Sequence, residues 1–164
     1  MSSTANTATA TGPRRRRVNP PAAPPAVAPD AADLPAPPTA RVVVLWQQVP
    51  QQHDYPAAGS YLSMLAGPKK VRRLLQALKR APVTHFKAKD ILRASGLPLL
   101  PPDNVHVAAD LAAVKAGQPL SPCLMIRGDL PTDVAAQIAD GYHRVCASYY
   151  TDENTDIPVK IAKL

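Results

Sequence analysis

The chain has 164 residues, the size of one ordinary domain with a tail, and carries a formal net charge of +7 with 46% hydrophobic but only 4% aromatic residues. It contains no run of about 18 apolar residues, which excludes a membrane-spanning helix. The start MSSTANTATATGPRRRR lacks the apolar segment of a secretory signal.

Residues 1–40 hold nine of the 20 prolines and almost no large apolar side chains. Burial there cannot offset the entropy of ordering, so a disordered tail is expected. A domain is expected over 41–164, with a helical part, 41–101, and a core, 102–164. RVVVLW, 41–46, has the β-branched character of a strand. A loop follows, then AAGSYLSMLAG, 57–67, as a short helix with Tyr61, Leu62 and Leu65 inward and Gly67 at its end. PKKVRRLLQALKRAP, 68–82, is the clearest helix: Pro68 suits the first turn, Val71, Leu74, Leu75 and Leu78 share one face, and Pro82 stops it. FKAKDILRASG, 86–96, reads as a further helix closed by Gly96.

After the extended LPLLPP, residues 103–117 read as a helix with Asp103 at the N-cap and Gly117 at the end. A strand is expected at Cys123–Ile126 and a second, antiparallel to it, at 134–140. A helix then runs from about Gly141 to Tyr150, and alternating Ile157, Val159 and Ile161 mark a final, half-exposed strand. Helices followed by helix–strand–strand–helix–strand indicate an α+β fold, not a doubly wound sheet. The two cysteines, Cys123 and Cys146, lie in apolar contexts without a CxxC companion, which fits buried thiols and a cytoplasmic location.

The strand-to-helix turn DGYHR, 140–144, concentrates polar groups where a buried turn needs few. Gly141 permits a tight turn, and the first amides of the following helix lack internal partners and carry the positive end of its dipole. His143 and Arg144 add cationic character to that end, which is unfavourable unless an anion compensates. A phosphate is the simplest such anion, and an Arg–phosphate contact contributes about 1.5–3 kcal/mol. The competing reading is local: Asp140 caps the helix and pairs with Arg144, leaving His143 in solvent.

Residues 103–164 resemble the core of the ParB/sulfiredoxin superfamily, carried by VAADLAAVKAGQPLSPCLMI, by AQIADGYHRVCA and by the closing IPVKIAKL. That resemblance implies a small mixed sheet with flanking helices and a turn that holds nucleotide phosphates: CTP in partition proteins, ATP in sulfiredoxins, ADP in free-serine kinases. Gly141, Tyr142, His143 and Arg144 are then the phosphate-binding residues. Asp140 and His143 are the catalytic candidates of a nucleotidase or small-molecule phosphotransferase, with Tyr142 shaping the pocket and Asp140 orienting the turn or a magnesium ion. The departures are specific. Tyr142 stands where sulfiredoxins place their reactive cysteine, and the turn differs from the Gly-Glu-Arg-Arg turn of partition proteins. Its nearest likeness is the DGHHR of the serine-kinase-like members.

Two further features are open to opposite readings. Residues 69–93 carry nine Lys or Arg against Asp90. They are either solvated faces of amphipathic helices or, through Lys69, Lys70, Arg72, Arg73, Lys79 and Arg80, a contact for nucleic-acid phosphates in a non-enzymatic DNA-associated protein. Lys87 and Lys89 are placed beside the nucleotide site. His53, His85 and His106 show no metal-ligand spacing and read as structural or exposed.

Overall fold

The structure, a computed structural model, describes residues 42–163. The expected tail, 1–40, and the Arg14–Arg17 run lie outside the described residues.

Among the described residues, five α-helices and four strands occur in the order α1 (Asp54–Ser63), α2 (Pro68–Arg80), β1 (Val83–Lys87), α3 (Ala88–Ser95), α4 (Val105–Lys115), β2 (Cys123–Ile126), β3 (Gln137–Asp140), α5 (Tyr142–Thr151) and β4 (Asp156–Ala162). The strands form one mixed sheet ordered β1-β4-β2-β3, with β4 antiparallel to β1 and parallel to β2, and β3 antiparallel to β2. The α+β reading holds. Alternation along the strands sends Leu124, Ile126 and Ala162 to one side, where they pack with Ala58, Leu62, Leu74 and Leu78 of α1 and α2. Cys123, Met125, Ile157 and Val159 point the other way, against Ile91 of α3, Val107 of α4 and Val145 of α5.

Several elements differ from expectation, each for a physical reason. Of the expected strand 41–46, the described residues 42–46 are not a strand of the sheet: only Trp46 makes a bridge, parallel to Leu120, while Val42, Val43 and Leu45 are exposed. High β propensity supplies no partner strand by itself. The first helix begins at Asp54 rather than at 57, with Pro56 in the first turn, where its missing N–H costs nothing. It ends at Ser63, so Leu65 faces solvent.

The expected helix 86–96 is a strand followed by a helix. Val83–Lys87 pairs with Lys160–Asp156, and the helix starts at Ala88. The sheet therefore crosses the division drawn at residues 101 and 102. Asn104, not Asp103, caps α4, accepting from the amides of His106 and Val107. Finally, β4 is a central strand buried on both faces, not a half-exposed one. The apparent alternation arises because its inward polar residue, Lys160, is itself buried and donates from Nζ to the carbonyl of Lys79 at 2.8 Å, at the end of α2.

Candidate functional site

α5 begins where β3 ends and beside the start of β2, and Gly141 makes the junction in a left-handed conformation, φ 100°. A Cβ at this position would lie 2.6 Å from Cys123 Sγ and 3.1 Å from Nε and Nη2 of Arg144. The glycine is therefore needed twice: for its backbone angle, and because the guanidinium of Arg144 folds back across it. No side chain caps the first turn of α5, and that turn contains no acidic residue.

The guanidinium is not bare. Arg144 donates from Nη2 to Asp140 Oδ2 and from Nη1 to Asp54 Oδ1 at 3.4 Å. Its side chain is only 12% exposed and that of Asp54 3%. Asp54 is held in turn by Ser121 Oγ at 2.5 Å and by the Gln51 amide at 2.7 Å, both donating to Oδ2. The expectation of an uncompensated cationic turn is thus corrected: Asp140 pairs with Arg144, as the local reading had it, and Asp54, ninety residues away in sequence, completes the neutralisation. Burial, with Asp54 alongside, lifts the Asp140 carboxyl above the usual carboxylate range despite Arg144. Cys123, under the turn, has its thiol pushed up to about 12 by burial, and it is not a nucleophile.

Beside this arrangement lies a cavity of about 380 Å³ lined by Asp54, His106, Asp110, Asp140, His143 and Arg144, with His53 and Ser121 at its margin. α4 contributes His106 and, one turn on, Asp110; α5 contributes His143, whose ring lies 4.7 Å from that of His106. Burial raises the Asp110 carboxyl above its ordinary value, with Arg144, His143 and His106 opposing. Burial and then the neighbouring His106 hold the His143 imidazole below its usual range, so it is neutral at pH 7. Three carboxyl groups thus face one guanidinium in this lining, which is not the bare cationic corner expected from the sequence.

The structure brings Asp140, Gly141, His143 and Arg144 together at this cavity. It does not bring Tyr142 there: the phenol donates to the carbonyl of Pro98 and its ring packs against the core. Lys87 and Lys89 are elsewhere too, paired with Asp156 at 2.7 Å and Glu153 at 3.8 Å. The residues that sequence reasoning missed are Asp54, His106 and Asp110. The spacing of His106 and Asp110, four apart on one helix, was a visible signal; Asp54 gave none. Among the described residues no three side chains are disposed to hold a metal by themselves.

A larger groove of about 740 Å³ opens on the α3 side of the sheet, at the opposite end of β2, over Phe86, Ile91, Met125 and Ile161. Its floor is apolar, and one of its two rim arginines, Arg93, is paired with Asp90 at 3.3 Å. Of these two cavities it is the smaller that gathers ionisable groups with shifted titration, and it is the better candidate for chemistry.

The cations of α2 present a different picture. Lys69, Lys70, Arg72, Arg73, Lys79 and Arg80 are all exposed, opposite the buried Val71, Leu74 and Leu78. No described helix is long and apolar enough to cross a membrane. Comparison of the chain with protein families, with curated proteins and with solved structures returned no match.

Proposed function

We propose that the chain is a ParB/sulfiredoxin-like domain whose corner cavity binds a nucleotide through its phosphates, as the complex with a divalent cation such as magnesium. The observation that carries this reading is the cavity itself, which sets the uncapped first turn of α5 opposite the half-buried carboxylate of Asp110. Free amides and the helix dipole attract an anion there, whereas Asp54, Asp110 and Asp140 repel a bare one. A cation-bridged phosphate satisfies both demands. Magnesium is ordinarily held through one or two carboxylates together with substrate phosphates, so a protein cage of three ligands is not required. The volume falls within the ~300–1,000 Å³ usual for ligand sites.

In this reading Arg144 does not grip the phosphate directly. It holds Asp140 and Asp54 in place and fixes the turn. His143, neutral and open to the cavity, is the group able to take a proton from an attacking water or hydroxyl, the step that a nucleotidase or small-molecule phosphotransferase needs. ATP, ADP and CTP are the nucleotides to test first. The free, buried thiols of Cys123 and Cys146 suit a reducing, cytoplasmic setting.

Titration calorimetry with each nucleotide, in magnesium and in EDTA, tests the proposal. Binding is expected only with the cation, and Asp110→Asn should weaken it by roughly tenfold or more. Absence of heat with all three nucleotides in magnesium removes the proposal, and equal affinity in EDTA removes the role given to the carboxylates.

A further inference from the structure

On α2, Lys69, Arg73, Gln76 and Arg80 follow one another at i, i+4, i+7 and i+11, a single line along the helix directly opposite Val71, Leu74 and Leu78. Arg72 and Lys79 flank that line on one side and Lys70 on the other. None of these six cations pairs with a carboxylate among the described residues. The cations next along the chain are treated differently: Lys87, Lys89 and Arg93 each face a carboxylate, at 2.7, 3.8 and 3.3 Å.

The arrangement on α2 works against the helix that bears it. Lys69 and Lys70 sit in the first turn, at the positive end of the dipole, and that turn has no acidic residue. Lys69 and Arg73 are like charges one turn apart. An external polyanion relieves all of these repulsions together.

We propose that this face of α2 docks on the phosphate backbone of duplex nucleic acid, independently of the corner cavity, to which α2 contributes no residue. The dimensions match. The cluster 69–73 and the pair 79–80 are centred roughly 13 Å apart at ~1.5 Å per residue, close to the ~12 Å width of the B-DNA major groove. The two groups therefore reach phosphates on either side of one groove. An anionic membrane is the poorer partner, because the apolar face of α2 is spent in the core and has nothing to insert. The aromatic ring beneath this face, Tyr55, is covered by Lys79 at 5.5 Å and not offered for base stacking, so affinity is expected to come from phosphate contacts.

The test compares two triple variants of equal charge change, made in the full chain with Arg14, Arg15, Arg16 and Arg17 already changed to Gln so that this second cation cluster does not contribute. One carries Lys69→Gln, Arg73→Gln and Arg80→Gln; the other carries Lys87→Gln, Lys89→Gln and Arg93→Gln. Fluorescence anisotropy of a labelled duplex of arbitrary sequence is read against salt, and circular dichroism confirms unchanged helix content.

Six phosphate contacts predict a log–log salt slope near −5, and an affinity loss of roughly a thousandfold between about 50 and 200 mM salt. The α2 triple variant should make the slope shallower by about 3 and weaken binding at least roughly tenfold, while the other triple variant stays within about twofold. The single Arg73→Gln change should make it shallower by about 1. No binding at about 50 mM salt overturns the proposal. So do equal losses from both triple variants, which reduce the effect to net charge, and so does binding to phosphatidylserine vesicles but not to duplex.

Discussion

Arg144 and the cations of α2 differ in what surrounds them. Arg144 lies in a short motif that looks cationic when read along the chain, yet two carboxylates enclose it, one from four residues earlier and one from α1. The six cations of α2 lie in an ordinary amphipathic helix and have no described carboxylate beside them. Local sequence makes the motif look the more open of the two, and the structure has it the more enclosed. The short motif suggests an open anion site, and the helix suggests a plain solvated face. Coulomb energy depends on separation in space, so the acid that matters can be ninety positions distant. The contrast also separates two kinds of cost: a buried, closed charge network is expensive to break, whereas an open cationic surface costs little to alter and shows itself through salt.

Loss of Asp54 should open the network around Arg144 and cost the most stability. Asp54→Ala takes away a buried carboxylate that receives Ser121, Gln51 and Arg144; it leaves the Ser121 hydroxyl without its acceptor and Arg144 with Asp140 alone. Losses for such a buried pair run to about 3–5 kcal/mol, and urea unfolding followed by circular dichroism measures them. A loss under about 1 kcal/mol, the range of exposed pairs, would mean that Arg144 reaches solvent after all. Arg144→Ala should cost a similar amount, because Asp54 and Asp140 are then left facing one another. That variant therefore cannot report on ligand binding alone, and for this reason Asp110 is the residue chosen for the calorimetric test.

Next in size is Gly141→Ala. The new methyl group meets Cys123 Sγ at 2.6 Å and the backbone must hold φ 100°, for a combined cost of about 2–3 kcal/mol. A smaller change in unfolding free energy would show that the guanidinium swings away from the turn readily.

Asp110 separates stability from binding. Its carboxyl is raised in the folded state, mainly by burial. A raised acid favours folding below its unfolded value of about 4 and loses that contribution as pH rises through the folded value. At neutral pH its charge thus opposes folding. Asp110→Asn should raise Tm at neutral pH, with a gain that fades as pH falls toward about 4, while nucleotide affinity drops. A lower Tm at neutral pH would show that Asp110 is a structural partner and not a carboxylate kept for a ligand.

The sequence signals that succeeded are the ones with internal redundancy. α2 could be read because Val71, Leu74 and Leu78 repeat at helical spacing between two prolines. β2, β3 and α5 could be read because an apolar run, a glycine and a second periodicity follow in order. β1 was hidden because Val83–Lys87 runs straight into α3 without a turn residue. What divides the two elements is tertiary: the amides of Ala88 and Lys89 donate to the carbonyls of Thr155 and Glu153. β4 looked half-exposed because Lys160 interrupts its apolar run, and only the end of α2 accounts for that amine. At the site, the pairing of Asp140 with Arg144 could be anticipated as a local contact across the turn, and Gly141 lets the guanidinium fold back to the strand end. Asp54 could not be foreseen, since its place is set by the turn before β2, through Ser121. His106 and Asp110 shared a visible helix face, but only the packing of α4 on α5 directs that face to the cavity.

The smallest expected effect bears most directly on α2. Lys69 follows Pro68 in the first turn, where the dipole favours an acid. If the helix carries its cations uncompensated, Lys69→Glu relieves the repulsion from Arg73 and complements the dipole, and stability should rise by about 0.3–1 kcal/mol in low salt. The gain should shrink in about 1 M salt, where the screening length falls to ~3 Å. Duplex affinity should fall in the same variant, so that binding and stability move in opposite directions at a single residue. If Lys69→Glu instead destabilises the protein in low salt, Lys69 already has an acidic neighbour within the chain. The contrast between a closed network around Arg144 and an open surface on α2 then no longer holds.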